Sequence, residues 1–256
     1  MTHISYSELK DWAFCAYYHK LTRIDKLKGF IGNEYTAFGT AMHSVCEKKL
    51  LKEDVDDDFF VKEFRKNIAA IADFDFPDNK TLQFIEQGKK IIPEIQKALD
   101  NYFDTYEVLE VEMPLYEPIE GEEEYKFKGY IDAVVATPDG KVHIFDWKTC
   151  SWGWDSRKKS DKMTTYQLTL YKHFFATKMG IDPDDVETHF ALLKRTAKSK
   201  RVEFFRVTSG SKKTTNALKI LDNALYNIKQ KRYIKNRLSC TGGFGCKFHN
   251  TEHCSR

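Results

Sequence analysis

The first hundred residues carry apolar side chains at the spacing of amphipathic helices. Ser5 or Ser7, ahead of Glu8 or Lys10-Asp11, forms a capping-box pattern that predicts a helix start, and Leu9 and Trp12 follow near helical intervals. Three further stretches repeat this periodicity, namely 36–51, 58–72 and 79–103. The pattern therefore predicts a mainly helical N-terminal part that ends near residue 104.

Beyond residue 104 the pattern changes to the alternation that is typical of strands. It predicts strands over 106–119, 124–136 and 141–150, the last two joined by a tight turn at 137–141. A helix follows over 160–180 with Gly180 as its C-cap, and then come strands at 186–195 and 201–208 and a helix at 211–231. This order of elements predicts an α/β fold with helices packed around one sheet.

Composition favours a single folded domain. The chain of 256 residues is 41% hydrophobic, which is enough for a sizeable core. It has no internal repeat, no low-complexity tract and no linker rich in Pro, Gly and Ser. We therefore predict one domain over 1–256, with a mainly helical part (1–104), a core of sheet and helix (105–208), and a C-terminal helix with a cysteine tail (209–256).

The overall charge does not identify a partner, because 41 Lys and Arg residues nearly balance 38 Asp and Glu residues. Cations concentrate locally in the stretches 157–162 and 194–201. No apolar stretch has the length of a signal-peptide core or of a membrane span. We therefore expect a cytoplasmic protein that has no membrane partner.

The stretch HIFDWKTC, residues 143–150, places two charges inside an otherwise apolar strand. Asp146 and Lys148 project to one face, whereas Trp147 projects to the other. The predicted turn brings Asp132 beside Asp146, and two adjacent carboxylates repel each other unless a cation lies between them. Oxygen ligands of this kind suit Mg²⁺ or Mn²⁺, and a lysine beside them would help to activate water. Asp146 and Lys148 alone would indicate only a surface ion pair.

Other polar side chains extend this candidate metal site. Glu112 offers a third carboxylate on a neighbouring strand, although Glu110 occupies the same predicted face two residues earlier. His43 offers a nitrogen ligand from a helix. Gln167 and Tyr171 lie one helical turn apart, on the helix that follows the charged strand.

These residues fall into five ordered motifs, which are GTAMH (39–43), EVEMP (110–114), GYID (129–132), FDWK (145–148) and YQLTLY (166–171). In order and spacing the motifs resemble the RecB-type branch of the PD-(D/E)XK nuclease superfamily. The resemblance covers roughly residues 36–195. It implies a restriction-endonuclease-like core in which helices flank a mixed sheet.

The resemblance also implies roles for individual residues. The groups that would bind Mg²⁺ or Mn²⁺ are His43, Asp132, Asp146 and the backbone carbonyl of Trp147. The catalytic set would be Lys148, Asp132, Asp146 and Glu112, with Lys148 as the catalytic lysine. Gln167 and Tyr171 would shape the site and contact DNA.

Three cysteines lie in a glycine-rich tail, SCTGGFGCKFHNTEHC, that has little apolar content of its own. Such a tail needs a covalent or metal constraint to be ordered. One cysteine before the nuclease core and three after it resembles AddB-like nucleases and the nucleases of CRISPR adaptation, in which four cysteines hold a [4Fe-4S] cluster. The ligands would be Cys15, Cys240, Cys246 and Cys254. The spacing differs from those relatives, so zinc bound with His249 or His253, and free thiols, stay as alternatives.

Two basic stretches are candidate DNA contacts. The first follows the charged strand directly and combines Trp152 and Trp154 with Arg157 and Lys158, the mixture expected where bases stack and phosphates are neutralised. The second is the predicted hairpin tip that begins with Lys194 and Arg195. Charge runs of this kind are usually solvated surface, so the second stretch is the weaker candidate.

We therefore predict a Mg²⁺- or Mn²⁺-dependent deoxyribonuclease, an exonuclease rather than an endonuclease, that acts on single-stranded DNA ends. The resemblance suggests recombination, repair or phage DNA metabolism in a bacterial or phage-infected cell, with a helicase, recombination or adaptation protein as partner. The alternatives are a DNA-binding or assembly module of the same fold that does not cleave, and a CRISPR-adaptation nuclease that processes spacer precursors.

Overall fold

The computed structural model describes residues 2–29, 32–71, 78–242 and 245–255. The helices of these residues are α1 (Tyr6–Phe14), α2 (Ala16–His19), α3 (Glu34–Leu50), α4 (Asp57–Ala69), α5 (Asp78–Phe103), α6 (Ser156–Ser160), α7 (Lys162–Met179), α8 (Ser211–Lys229) and α9 (Leu238–Thr241). The strands are β1 (Thr2–Ser5), β2 (Glu107–Ile119), β3 (Glu122–Ala136), β4 (Val142–Cys150), β5 (Val186–Lys194) and β6 (Val202–Arg206). A π-helical turn, Lys20–Ile24, follows α2, and a 3-10 turn, Pro183–Asp185, precedes β5.

Local sequence signals fix several of the element ends. Ser5 caps α1, because its Oγ accepts a hydrogen bond from the backbone N–H of Glu8 at 3.2 Å. Gly180 ends α7 in the left-handed conformation, with a φ of 65°, as predicted. Strand β1 was not predicted, because four residues are too few for periodicity to show. Of the described residues, no helix has both the length and the apolar character that a membrane span requires.

The chain divides into two compact units. Unit 1 comprises Met1–Ile31, Tyr116–Gly129 and Ser211–Arg256, and unit 2 comprises Gly32–Leu115 and Tyr130–Gly210. Strands β2 and β3, which pair with each other, run through both units. The single domain that we predict over 1–256 stays a prediction.

Unit 2 contains the mixed sheet predicted for the core. The second half of β3 pairs antiparallel with β4, β4 pairs parallel with β5, and β5 pairs antiparallel with β6. Helices α3, α4 and α5 bury their apolar residues against one face of these strands. Phe190 and Leu192 of β5 form a second cluster with Leu168 of α7 on the other face. The fold is therefore an α/β sheet flanked by helices, as the sequence predicts.

Aromatic side chains hold the three helices of the first face together. Phe38 of α3 makes edge contacts with Phe60, Phe64 and Phe84 at ring-centroid distances of 5.6–6.0 Å. Phe60 and Phe64 of α4 stack on each other at 5.9 Å. Offset and edge-to-face pairs of this kind add to the stabilisation that burial alone provides. They hold α3, which carries His43, against α4 and α5.

Unit 1 is built from three separate stretches of chain. Strand β1 pairs parallel with the first half of β3, from Thr2 beside Tyr125 to Ser5 beside Lys128. Helix α1 packs against α8. The buried residues of α8 follow helical spacing and include Ala217, Leu221 and Leu225. This unit contains the four cysteines for which we predict a shared ligand.

Candidate active site

The hairpin of β3 and β4 brings Asp132 and Asp146 together. Its register pairs Ala133 with Phe145, so Asp132 and Asp146 face each other one step further along the two strands. Asp132 is 8% exposed and Asp146 is 2% exposed. The backbone N–H of Trp147 donates to Oδ2 of Asp132 at 2.7 Å, which holds that carboxylate in place.

Asp146 is held by two side chains from the same face. The Oδ1 atom accepts a hydrogen bond from Nε2 of Gln167 on α7 at 2.6 Å. The Oδ2 atom forms an ion pair with Nζ of Lys148, as expected for residues two apart on one strand. Oδ2 is buried and has no hydrogen bond of acceptable geometry within the described part of the chain. This oxygen therefore retains acceptor capacity that a metal ion would use.

His43 reaches the same place from α3, where Asn33 and Thr36 form a capping box that fixes the helix start. Its Nε2 lies 2.9 Å from the carbonyl oxygen of Trp147, and since a carbonyl only accepts, Nε2 is the protonated nitrogen. Its Nδ1 lies 3.4 Å from Oδ2 of Asp132. Nδ1 is thus the nitrogen that is available to a metal ion, whereas the Trp147 carbonyl accepts a hydrogen bond from His43.

Glu112 completes the cluster from β2. One carboxylate oxygen of Glu112 and the ligand atoms of His43 and Asp132 all lie within 4.8 Å of one another. Glu112 has a φ of 49°, a left-handed conformation inside a strand, which is unfavourable for a residue with a side chain. Val108 and Val111 both pack against the core although they lie three apart. The regular alternation that we predicted for 106–119, with Glu110 and Glu112 on one face, is therefore interrupted between Val108 and Val111.

Burial and like charges perturb the acids of this cluster. Burial raises the pKa of Asp132 well above its ordinary value, and the neighbouring Asp146 carboxylate raises it further. Burial also raises the pKa of Glu112, with added contributions from Glu47 and Asp146. The pKa of His43 is lowered by burial, which favours the neutral imidazole that binds metals.

These observations fit a divalent cation. Two buried carboxylates face each other, a third carboxylate and an unprotonated imidazole nitrogen lie beside them, and a buried oxygen of Asp146 lacks a hydrogen bond. Carboxylate oxygens are the ligands that Mg²⁺ and Mn²⁺ prefer. The donor set therefore suits the metal ions predicted from the sequence.

The predicted DNA contacts of the first stretch differ in exposure. Trp152 is 79% exposed, and Arg157 and Lys158 are exposed on and around the short helix α6. Trp154 is half-buried and packs edge-on against Phe190 at 5.1 Å. Trp152 therefore presents a free aromatic surface, whereas Trp154 belongs to the core cluster on that face of the sheet.

Three further predicted DNA contacts, Tyr171, Lys194 and Arg195, are buried, whereas Gln167 is partly exposed. Tyr171 is 6% exposed on α7, and burial followed by the Asp146 charge raises its pKa. Lys194 is 9% exposed, and its Nζ forms an ion pair with Glu203 at 3.0 Å. We expected Lys194 and Arg195 at an exposed hairpin tip, but Lys194 ends strand β5 inside the fold.

Arg195 contacts both aromatic and polar side chains within the protein. Its guanidinium lies over the rings of Tyr35 and Phe84 at 4.8 and 4.6 Å. It also donates hydrogen bonds to Gln87 and Ser151. Arg195 is 7% exposed, so it stabilises the packing around α3 and α5 and is not presented to a ligand at the surface.

The four cysteines predicted as ligands line one cavity in unit 1. The cavity has a volume of about 350 Å³, and its lining includes Cys15, Cys240, Cys246, Cys254 and His249. Burial raises the pKa of Cys246, and the other three sulfurs raise it further. Backbone contacts tie the N-terminal helices to the tail, because Tyr17 donates to the carbonyl of His253 and Asn236 donates to the carbonyl of Phe14.

Glu47 and a group of three polar residues in unit 2 were not predicted from the sequence. Glu47 lies one turn after His43 on α3, and its charge raises the pKa of Glu112. The spacing of four residues was the signal that could have revealed it. His143, Glu187 and His189 form a second group of potential metal ligands, separate from the first. Because His143 lies on β4 whereas Glu187 and His189 lie on β5, only the register of the two strands brings all three together.

Comparison with known proteins identifies a family and several similar solved structures. The family model described as the PD-(D/E)XK nuclease superfamily matches residues 3–254. The crystal structure of a "Putative exonuclease" from Eubacterium rectale matches with a TM-score of 0.62 and 16% identity, over 93% of this chain and 86% of that one. The crystal structure of SSO0001 matches with a TM-score of 0.38 and 15% identity, over 81% of this chain and 93% of that one. No curated protein sequence matches the chain.

Proposed function

Because the chain belongs to the PD-(D/E)XK nuclease superfamily, we propose that it is a metal-dependent deoxyribonuclease that removes nucleotides from single-stranded DNA ends. The proposal rests on one observation. Asp132, Asp146 and Lys148 lie close together at the end of β4, and His43 lies beside them. Buried carboxylates in contact with one another are costly unless a cation is bound there. A site of this composition suits hydrolysis of a phosphodiester bond.

Each side chain has a defined task in this proposal. Asp132, Asp146, Glu112 and His43 would hold a Mg²⁺ or Mn²⁺ ion, which when bound supplies Lewis-acid activation of water and phosphate. The backbone carbonyl of Trp147, which has a second lone pair beside the one that accepts from His43, stays a predicted ligand. Lys148 would orient the attacking water through its ammonium group and stabilise the charge that develops on the phosphate oxygens. Gln167 keeps Asp146 in position through its hydrogen bond to Oδ1.

The exposed side chains after β4 support single-stranded DNA as substrate. Trp152 is 79% exposed and lies four residues beyond Lys148 in the chain, with Arg157 and Lys158 also exposed nearby in the sequence. An aromatic face stacks on unpaired bases, whereas cations neutralise phosphates. We include Trp152, Arg157 and Lys158 as DNA contacts, with Trp154 as support for the loop, and leave out the buried Lys194 and Arg195.

We also propose the finer assignment to the RecB-type branch, with a role in recombination, repair or phage DNA metabolism. The five motifs of the sequence support the branch. The similar Eubacterium rectale structure, described as a "Putative exonuclease", supports an exonuclease over an endonuclease. A helicase, or a recombination or adaptation protein, would be the partner that presents DNA ends.

The activity is tested with end-labelled single- and double-stranded DNA in Mg²⁺, in Mn²⁺ and in EDTA. Lys148→Ala should lower the rate constant for cleavage of single-stranded DNA at least about 100-fold, because both water activation and charge stabilisation are lost. Lys141→Ala is a matched control, since Lys141 has similar side-chain exposure (34% against 31%) and also pairs with an aspartate. Lys141→Ala should cleave at the parent rate.

Equal cleavage by Lys148→Ala and the parent would remove Lys148 from the mechanism. DNA binding without cleavage in both metals would favour the assembly module that lacks activity. Faster cleavage of double-stranded than of single-stranded ends would contradict the proposed substrate. Products cut from within circular single-stranded DNA would identify an endonuclease instead.

For the tail we propose a [4Fe-4S] cluster held by Cys15, Cys240, Cys246 and Cys254. A single tetrahedral zinc ion would draw four sulfurs to about 3.8 Å from one another, given a Zn–S distance of about 2.3 Å. Within the described residues, no three of these sulfurs lie within 4.8 Å of one another, although all line the cavity of about 350 Å³. Sulfurs spread around a cavity support a cluster that is larger than one ion.

The cluster is tested by anaerobic purification, with iron, acid-labile sulfide and zinc quantified on one sample. We expect about four irons per chain and a visible absorption band. Cys15→Ser should lose most of the iron, whereas Cys150→Ala, a partly buried cysteine outside the cavity, should retain it. Colourless protein with one zinc per chain would replace the cluster by a zinc site that includes His249 or His253.

A further inference from the structure

A second group of potential metal ligands lies at the beginning of β4 and β5, away from the Asp146 end of β4. It consists of His143, Glu187 and His189, which are on the same face of the sheet because His143 pairs with Glu187 and Phe145 pairs with His189. The two histidines are 7% and 2% exposed. Lys148 lies five residues beyond His143, a distance of about 17 Å along a strand.

Three ligand atoms of this group face one another. His143 Nδ1 lies 3.0 Å from His189 Nε2 and 3.7 Å from Glu187 Oε2. His189 Nε2 lies 4.0 Å from the same Glu187 oxygen. Ligand atoms around a tetrahedral zinc ion with bonds of about 2.0–2.1 Å are separated by about 3.4 Å. The three atoms are therefore close to the spacing that one such ion imposes.

The hydrogen bonds of Thr137 determine which nitrogen of His143 is protonated. Thr137 donates its hydroxyl proton to Asp139 at 2.5 Å, so Thr137 Oγ1 accepts from His143 Nε2 at 2.8 Å. Nε2 of His143 is thus protonated, and in the neutral ring Nδ1 has a lone pair. That lone pair and the Glu187 carboxylate point toward the same place, which is favourable only if a proton or a cation lies between them.

The other two ligands are oriented in the same manner. Tyr102 OH lies 3.0 Å from His189 Nδ1, on the side of the ring opposite to Nε2. Arg206 forms an ion pair with the second oxygen of Glu187, Oε1, at 2.9 Å. In the metal sites of proteins, partners that contact each ligand on the side away from the metal fix the orientations of the rings and carboxylates.

We propose that His143, Glu187 and His189 form a site for a divalent transition-metal ion of the zinc class, separate from the nuclease centre. Two imidazoles and one carboxylate are ligands that zinc accepts, and Mg²⁺ would require more oxygen ligands. A cavity of about 490 Å³ adjoins the group and gives access to an ion and to the water that would be the fourth ligand. The ion joins the starts of β4 and β5 and, through Tyr102, the end of α5. Its role is therefore to stabilise the folded protein.

The alternative is a hydrogen-bonded relay without metal, and the tautomer of His189 distinguishes the two. In the relay His189 Nε2 donates to His143 Nδ1, so His189 carries its proton on Nε2 and Tyr102 donates to Nδ1. With zinc on Nε2, His189 must carry its proton on Nδ1 and donate to the oxygen of Tyr102. His143 keeps its proton on Nε2 in both cases.

The first experiment uses the parent protein alone, titrated with Zn²⁺ and followed by ¹⁵N NMR of the histidine rings. We expect His189 to change from the Nε2–H to the Nδ1–H tautomer as one equivalent of zinc binds, while the His143 tautomer is unchanged. Unchanged His189 nitrogen shifts at saturating zinc would overturn the site. This measurement does not depend on the folding of any variant.

The second experiment compares metal binding by Glu187→Gln with that of the parent and of Glu203→Gln, a carboxylate on the neighbouring strand outside the group. After dialysis against Co²⁺, the parent minus Glu187→Gln difference spectrum should show visible bands without the charge-transfer band that cysteine sulfur produces. Zinc should raise the melting temperature of the parent and of Glu203→Gln more than that of Glu187→Gln. Equal cobalt spectra and equal zinc responses in all three proteins would reject the proposal. DNA cleavage by Glu187→Gln at the parent rate would separate this site from the nuclease centre.

Discussion

At the scale of single residues, Glu112 combines an unfavourable backbone conformation with a position in the candidate metal cluster. Its φ of 49° is left-handed, and its carboxylate lies within 4.8 Å of ligand atoms of His43 and Asp132. A residue with a Cβ atom in this conformation costs roughly 1–2 kcal/mol. Such strain persists where the surrounding structure holds it, and it is common at functional sites. The strained bend aims the carboxylate at the cluster.

The strain predicts that glycine and alanine at position 112 differ in their effect on stability but not in their effect on activity. The unfolding free energy of Glu112→Gly should be about 1 kcal/mol higher than that of Glu112→Ala, because glycine adopts a positive φ without strain and alanine does not. Both variants lack the carboxylate and should lose most metal-dependent cleavage. Urea unfolding and the end-labelled cleavage assay measure the two properties. Equal stability of the two variants would mean that the backbone at 112 is not strained.

At the scale of elements, helices α4 and α5 approach closely at Gly88. A Cβ atom on Gly88 would lie 2.2 Å from ring atoms of Phe60, a fully buried residue of α4. The helical periodicity of 58–72 and 79–103 predicted both helices correctly from the sequence. It could not reveal this contact, because an isolated glycine inside a helical pattern indicates only a weaker helix.

The contact predicts that two helical glycines respond differently to alanine. Gly88→Ala should lower the unfolding free energy by about 1–2 kcal/mol, because overpacking against Phe60 outweighs the gain in helix propensity of about 1 kcal/mol. Gly39→Ala on α3 is the control, since the nearest atom to its added Cβ would be Thr149 Oγ1 at an ordinary 3.4 Å. Gly39→Ala should gain up to about 1 kcal/mol. Urea denaturation of both variants checks the difference, and a stabilised Gly88→Ala would contradict the close approach.

At the scale of the whole molecule, the sequence predicted the structure correctly where the pattern lay within one continuous stretch of chain. The strand over 141–150 and the turn before it were predicted, and with them the meeting of Asp132 and Asp146. The contacts that depend on the pairing of β4 with β5 were not predicted. The group of His143, Glu187 and His189 depends on the parallel register of β4 and β5, which no periodicity within either strand encodes.

Buried histidines make the stability of the metal-free protein sensitive to acid. Burial first, and then His143 and Arg206, lower the pKa of His189 to about 3. Between pH 6.5 and 3 the unfolded chain binds a proton at this residue that the folded protein does not, so stability falls as the pH falls. From pH 6.5 to 5.5, in EDTA, His189 should account for a loss of about 1 kcal/mol.

His189→Gln removes the titrating group and provides the comparison. The unfolding free energy of the parent should fall by about 1 kcal/mol more than that of His189→Gln over this interval, whatever the absolute stability of the variant. Urea unfolding at the two pH values measures both slopes. Parallel slopes would show that His189 titrates alike in the folded and unfolded states.

The composition of unit 1 from three stretches of chain has a consequence for synthesis on the ribosome. Cys15 and Cys240 line the same cavity, yet almost the whole nuclease core is translated between them. At roughly 5–20 residues per second, the Cys15 thiol emerges on the order of 10–45 seconds before Cys240 follows. Unit 2 has all its residues well before unit 1 does. The cysteine cavity is therefore assembled late in translation, and an early arrest leaves the Cys15 thiol without its three companions.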